Sequence, residues 1–171
     1  MPRTVEYLDF TVAEFEPVLA EARTIARARD GWVNIRPRPL EDVDEQQIAE
    51  FAPTPPDAPV GLFARWRVVV IEGTWVPGKV GRNGAADASV GLQHPAGRFA
   101  ARQLREAGHP VPESWRVVSD HARRGLVMSV PDGDDGAVSS VDEILRWLPG
   151  AGAALAPWQV TGRWRAEIHR R

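Results

Sequence analysis

The stretch SVGLQHPAGRFAARQLREAGHPVPESWRVVSDHARRGLVMSVPDGDDGAVSSVDEILRWLPGAGAALAPWQVTGRWRAEI, residues 89–168, decides the fold. Residues 89–93 form a strand that Pro95 turns into a helix with Phe99, Ala100, Leu104 and Ala107 in one stripe, ended by Gly108 and Pro110. Strands follow at 115–119 and 126–130, joined by a hairpin connection that finishes on Gly125. Ser140-Val141-Asp142-Glu143 is a capping box, and Val141, Ile144, Leu145 and Leu148 are the buried face of its helix. Pro149-Gly150 should kink or interrupt that helix. In the last strand, 158–168, Trp164, Ala166 and Ile168 face one way and Arg163, Arg165 and Glu167 the other. The order is βαββαβ, a ferredoxin-like split βαβ unit, and the fold class is α+β.

Working outward, residues 4–10 give a weak strand, and Thr11-Val12-Ala13-Glu14 fits a capping box before a helix. Val12, Phe15, Leu19, Ala22 and Ala26 share its face, Pro17 belongs in its first turn, and Gly31 is placed to end it. A short strand at 32–35, an acidic helix at 42–51, a proline-rich connection at 53–59 and a strand at 62–76 follow. This leaves open that the first half is a degenerate second α/β copy of the same unit, with the tryptophans filling between layers. The expected division is an α+β half at 1–77, a Gly-rich linker or loop at 78–88, and the ferredoxin-like half at 89–171, which can still pack as one domain.

At 171 residues with 43% hydrophobic and 26% charged side chains, the chain is ordinary for a soluble globular protein. It has no cysteine, which excludes disulfides, thiolate zinc sites and cysteine nucleophiles. No apolar run approaches the roughly 18 residues of a membrane span, and the first residues do not resemble a signal segment. A cytoplasmic protein without a membrane partner is the simplest expectation. The net charge of −2 is unevenly spread: residues 1–60 carry 6 Lys and Arg against 12 Asp and Glu, and residues 61–171 carry 15 against 11. The second half could therefore attract anions.

Topology then suggests one site. In a ferredoxin-like sheet of order 4-1-3-2, the first and second strands are parallel and their C-terminal ends share an edge. His94 and His121 would sit at those ends, with Arg123 and Arg124 beside them and Arg98 in the first turn of a helix whose amides favour anions. A bound phosphate or carboxylate held by His94, Arg98, His121, Arg123 and Arg124 matches that edge in size. Two strand spacings separate the histidine backbones by roughly 10 Å. With no third ligand in evidence, no metal is expected, and neither is a cofactor.

Other motifs yield less. Residues 78–87 lack the Lys-Ser/Thr ending of a phosphate-binding loop, and Asp132 to Glu143 fails the calcium-loop pattern at its fifth and sixth positions. Arginine beside tryptophan at Arg65-Trp66-Arg67 and Arg163-Trp164-Arg165 could suit nucleic acid, but strand alternation turns Trp164 away from its arginines.

Gly91-Leu92-Gln93-His94, residues 115–126 and residues 155–166 are similar to stretches of a set of uncharacterised actinobacterial proteins, a resemblance covering about half the chain, mainly residues 89–169. No activity is attached to that family, so the resemblance implies no catalytic residues. The best expectation is a non-enzymatic ligand-binding or protein-interaction module, forming a homodimer through its sheet. An enzyme acting on a small anionic substrate is the alternative, and nucleic-acid binding a second one.

Overall fold

The computed structural model describes residues 4–38, 71–81, 84–131, 136–157 and 160–170. The expected helix at 42–51, the proline-rich connection and nearly all of 62–71 lie outside them. In chain order the elements are β1 (Thr4–Thr11), α1 (Glu16–Ala28), β2 (Gly31–Pro37), β3 (Glu72–Val76), β4 (Val80–Gly81), β5 (Gly84–Ala85), β6 (Ala88–Gln93), α2 (Ala100–Glu106), β7 (Arg116–His121), β8 (Gly125–Val130), α3 (Gly136–Leu155) and β9 (Arg163–Arg170).

Seven strands form one antiparallel sheet of order β1-β9-β2-β3-β6-β8-β7, and β4 and β5 pair as a small separate hairpin. The fold is thus α+β. Within the second half, β6-β8-β7 keeps the expected 1-3-2 order, but the fourth strand is displaced. Instead of lying beside β6, β9 is inserted between β1 and β2, with β2 and β3 separating it from β6. The cause is the gap in the first half: β1 and β2 run parallel across α1, and a strand is needed between them. β9 pairs with β1 from Thr4↔Arg170 to Thr11↔Arg163 and with β2 from Gly31↔Arg170 to Pro37↔Trp164. The 20-residue α3 makes this reach feasible, since about 30 Å of helix exceeds the ~19 Å of four strand spacings. One sheet therefore crosses both segments, and residues 78–88 hold the β4–β5 hairpin.

The helices lie on one face. Val33, Ile35, Trp75, Val90, Leu92, Leu126, Met128, Trp164, Ala166 and Ile168 of the sheet are buried in one core with Leu19 and Ile25 of α1, Leu104 of α2, and Ile144, Leu145 and Leu148 of α3. At Gly73 the fit is close: a Cβ there would stand 2.8 Å from the Leu148 side chain.

α1 has Pro17 in its first turn, as expected, but Val12 is 63% exposed and lies off its buried face. The Thr11 hydroxyl accepts from the Glu14 amide at 3.2 Å ahead of the helix, so the Thr11–Glu14 pair does not cap it. Arg29, at φ 53°, ends it, and Gly31 is buried in β2. α3 starts at Gly136, ahead of the expected cap Ser140, and continues through Pro149. The missing amide costs one hydrogen bond, while the apolar face runs on to Ala151 and Leu155, both buried. The Arg23 guanidinium joins α1 to α3, donating to Asp142 from Nε at 2.9 Å. Among the described residues no helix is long and apolar enough to cross a membrane.

Candidate functional site

The C-terminal ends of β6 and β7 do share an edge, on either side of the start of β8. His121 lies opposite Gly125, and a Cβ on Gly125 would meet the Leu92 carbonyl oxygen at 2.4 Å. The five expected anion ligands are nonetheless not brought together there. His94 continues the alternation of Ala88, Val90 and Leu92 toward the helices and is 1% exposed. Neither ring nitrogen has a hydrogen-bond partner among the described residues, and burial holds its pKa below the usual imidazole value, partly offset by the Asp120 carboxylate. His121 is exposed, one residue beyond Asp120 and so on the other face; its Nδ1 accepts from the Arg123 amide at 3.1 Å. Arg98, Arg123 and Arg124 are exposed.

The helix start that was to supply free amides is already occupied. α2 begins at Ala100 rather than near Pro95, which leaves Arg98 ahead of it. The Ala100 and Ala101 amides each donate to a different Asp120 carboxylate oxygen at 3.0 Å. The preceding loop is closed by Gln103, whose side-chain amide donates to the carbonyls of Ala96 at 2.9 Å and Arg98 at 3.1 Å. Phe99 enters the helix at φ 65° and is 58% exposed, contrary to its expected place in the buried stripe, with the Arg102 guanidinium 5.0 Å from its ring centroid.

A different set of polar residues converges on the sheet face opposite the helices. Register places Tyr7, Glu167, Asn34, Thr74, Gly91, Val127 and Ser119 in one row across all seven strands. One flanking row holds Asp9, Arg165 and Arg36, then Glu72 opposite Gln93; the other holds Val5, His169 and Trp32. Such faces are usually solvated, yet the Glu167 and His169 side chains are only 13% and 17% exposed.

These side chains form a connected network. The Thr74 hydroxyl donates to Asn34 Oδ1 at 3.0 Å, which turns the Asn34 amide nitrogen toward His169 Nε2, 3.5 Å away. The same Nε2 is 3.6 Å from Glu167, and the imidazole stacks on Trp32 with centroids 4.4 Å apart and planes 8° from parallel. Nε2 can accept from Asn34 or, protonated, donate to Glu167. Arg36 pairs with Glu167, while Arg165 and Arg38 both pair with Asp9, the former at 2.8 Å. The Asp9 carboxyl is held below its usual range, chiefly by the hydrogen bond from Arg165.

Glu72 is the exception. It is half-buried, and its carboxylate has no hydrogen-bond or ion-pair partner among the described residues. Burial pushes its pKa up and Glu167 adds to this, with Arg36 and His169 opposing. Close to it is Gly91, where a Cβ would stand 4.0 Å from the Thr74 Cβ, the nearest atom among the described residues. The sequence carried a partial signal of this face: Trp32, Asn34 and Arg36 alternate, as do Arg165, Glu167 and His169. What it lacked was the β9–β2 adjacency that joins the two sets.

Among the described residues no group of three or more His, Asp or Glu side chains is arranged to hold a metal ion. No family model, curated protein or solved structure matches the chain.

Proposed function

We propose that the protein is a non-catalytic binding module whose recognition surface is the sheet face opposite α1, α2 and α3, spanning β1, β9, β2, β3 and β6. The observation that carries this reading is the Thr74–Asn34–His169–Glu167–Arg36 network, a fixed array of donors and acceptors beside Gly91. Preorganised polar groups on a rigid scaffold suit recognition, because their orientation is set before a ligand arrives. Their mutual pairing also leaves few groups available for proton transfer. Binding of an anion at the β6–β7 edge is less well supported: the amides there are taken by Asp120, and His94 is enclosed.

The test is amide chemical-shift mapping with a panel of small cations, anions and neutral polyols. Perturbations should gather on Asn34, Thr74, Gly91 and His169 and on the Trp32 indole. Shifts confined to the turn at Arg123 and Arg124 would replace this reading with the anion site.

A further inference from the structure

Phe99 is held in a conformation that brings the fold itself little. Its backbone, at φ 65° and ψ 38°, is left-handed, which is costly for a residue with a Cβ, while 58% exposure returns little burial in exchange. The turn around it is nevertheless pinned on both sides. The Phe99 carbonyl accepts from the Arg102 and Gln103 amides, both at 3.1 Å, the Gln103 side chain ties down the carbonyls of Ala96 and Arg98, and Asp120 takes the amides of Ala100 and Ala101. A rigid support thus presents the phenyl ring to solvent. Its surroundings are cationic. The Arg102 guanidinium lies over the ring, Arg105 follows three residues later on α2, Arg98 precedes the ring, and Arg123 and Arg124 occupy the turn after Asp120; all five side chains are exposed. Residues 94–126, every one of them described, carry six arginines against the three acids Glu106, Glu113 and Asp120. Asp120 is engaged by the α2 amides, and Glu106 reaches Arg102 only at 3.8 Å, between side chains about two-thirds exposed, a pairing too weak to neutralise it.

A presented aromatic ring bordered by guanidiniums suits a partner that is anionic and flat in the same place. Phosphates satisfy guanidiniums, and a base can stack on the phenyl ring as the Arg102 guanidinium does. An acidic peptide supplies the charge but no flat group beside every anion. We propose that this corner, at the start of α2 and the β7–β8 turn, is a second recognition surface that binds single-stranded nucleic acid. One base stacks on Phe99, and the flanking phosphates pair with Arg98, Arg102 and Arg105 on one side and with Arg123 and Arg124 on the other. The α2 amides take no part, because Asp120 holds them. A duplex is a poor fit, since its bases are already stacked on one another.

The experiment follows the fluorescence anisotropy of a short labelled oligothymidylate, and of the same strand in a duplex, at low and at physiological salt. The single strand should bind saturably, more tightly than the duplex, and more weakly as salt rises. Phe99→Gly and Phe99→Asn remove the ring with residues that accept the left-handed backbone, and each should weaken binding about tenfold; Phe99→Tyr, which keeps a ring, should bind like the parent. Replacing Arg102 and Arg105 together by glutamine should weaken binding and flatten its salt dependence by about one phosphate per arginine. Circular dichroism confirms that each variant is folded, and if one ring-deleting variant does not fold the other decides. Absence of binding at low salt would overturn the assignment, as would equal affinity for the duplex or displacement of the strand by oligoglutamate at equal concentration. So would loss in the arginine variant with full binding in Phe99→Gly and Phe99→Asn, because the attraction would then be charge alone. None of these results touches the polar sheet face, which the small-molecule panel tests separately.

Discussion

Asp120 on β7 caps the helix that starts at Ala100, twenty residues earlier in the chain, with 3.0 Å between Asp120 Oδ1 and the Ala100 amide. A local N-cap is contributed by the residue preceding the helix; here that residue, Phe99, makes no side-chain cap. The cap therefore also fixes α2 onto the sheet edge. Asp120→Ala should lower stability by about 1–2 kcal/mol in urea denaturation, within the range for lost caps. Asp120→Asn, which keeps one acceptor, should cost less.

His94 should make the protein sensitive to mild acid. Its folded-state pKa lies below 6.5, so in the interval between the two values the unfolded chain binds the proton and the folded one does not. Stability then falls as pH drops from about 6.5 toward the lowered value. His94→Leu removes two unpartnered buried nitrogens. It should gain about 1 kcal/mol at neutral pH and more in mild acid, read from denaturation midpoints across pH.

Glu72 acts in the opposite direction. Its folded-state pKa is raised above 4.5, so its protonated form favours the folded state. That contribution is complete below 4.5 and disappears as pH rises through the raised value. Glu72→Gln should therefore be more thermostable than the parent at neutral pH, with the difference vanishing in acid. A constant difference across pH would show that the carboxylate does not titrate this way.

Phe99 is a non-glycine residue at φ 65° with its ring largely in solvent. Phe99→Gly relieves the left-handed backbone at some entropic cost and should raise stability by about 0.5 kcal/mol; Phe99→Val should lower it by about 1 kcal/mol. Thermal melts of the pair check both signs.

Much of the local structure was legible because period and punctuation are local properties. Val90 and Leu92 alternate, Pro17 marks a helix start, and Trp164, Ala166 and Ile168 were read correctly as the inner face of β9. The shared edge at His94 and His121 was legible too, since it depends only on β6-β8-β7. Pairings between distant segments were not. Alternation says which way Glu167 points but not that Asn34 will be its neighbour, and that neighbour depends on β9 filling the gap between β1 and β2. Spacing likewise put Phe99 in the apolar stripe of α2, because nothing in the sequence announces a left-handed phenylalanine before the first turn. Asp120 fell in the expected hairpin connection between 119 and 126, since a tertiary cap has no local signature.

The position of β9 also bears on the order of events during synthesis. β1, α1 and β2 are made first, yet the strand between β1 and β2 is translated more than a hundred residues later. At 5–20 residues per second, the two parallel strands wait on the order of ten seconds with an empty slot between them. Their unpaired backbone can accept a foreign strand throughout that interval, including β9 of another copy emerging nearby. Pairing across such a long sequence separation is intrinsically slow. The slot between β1 and β2 is therefore filled late, and domain swapping through β9 is the error that this topology invites.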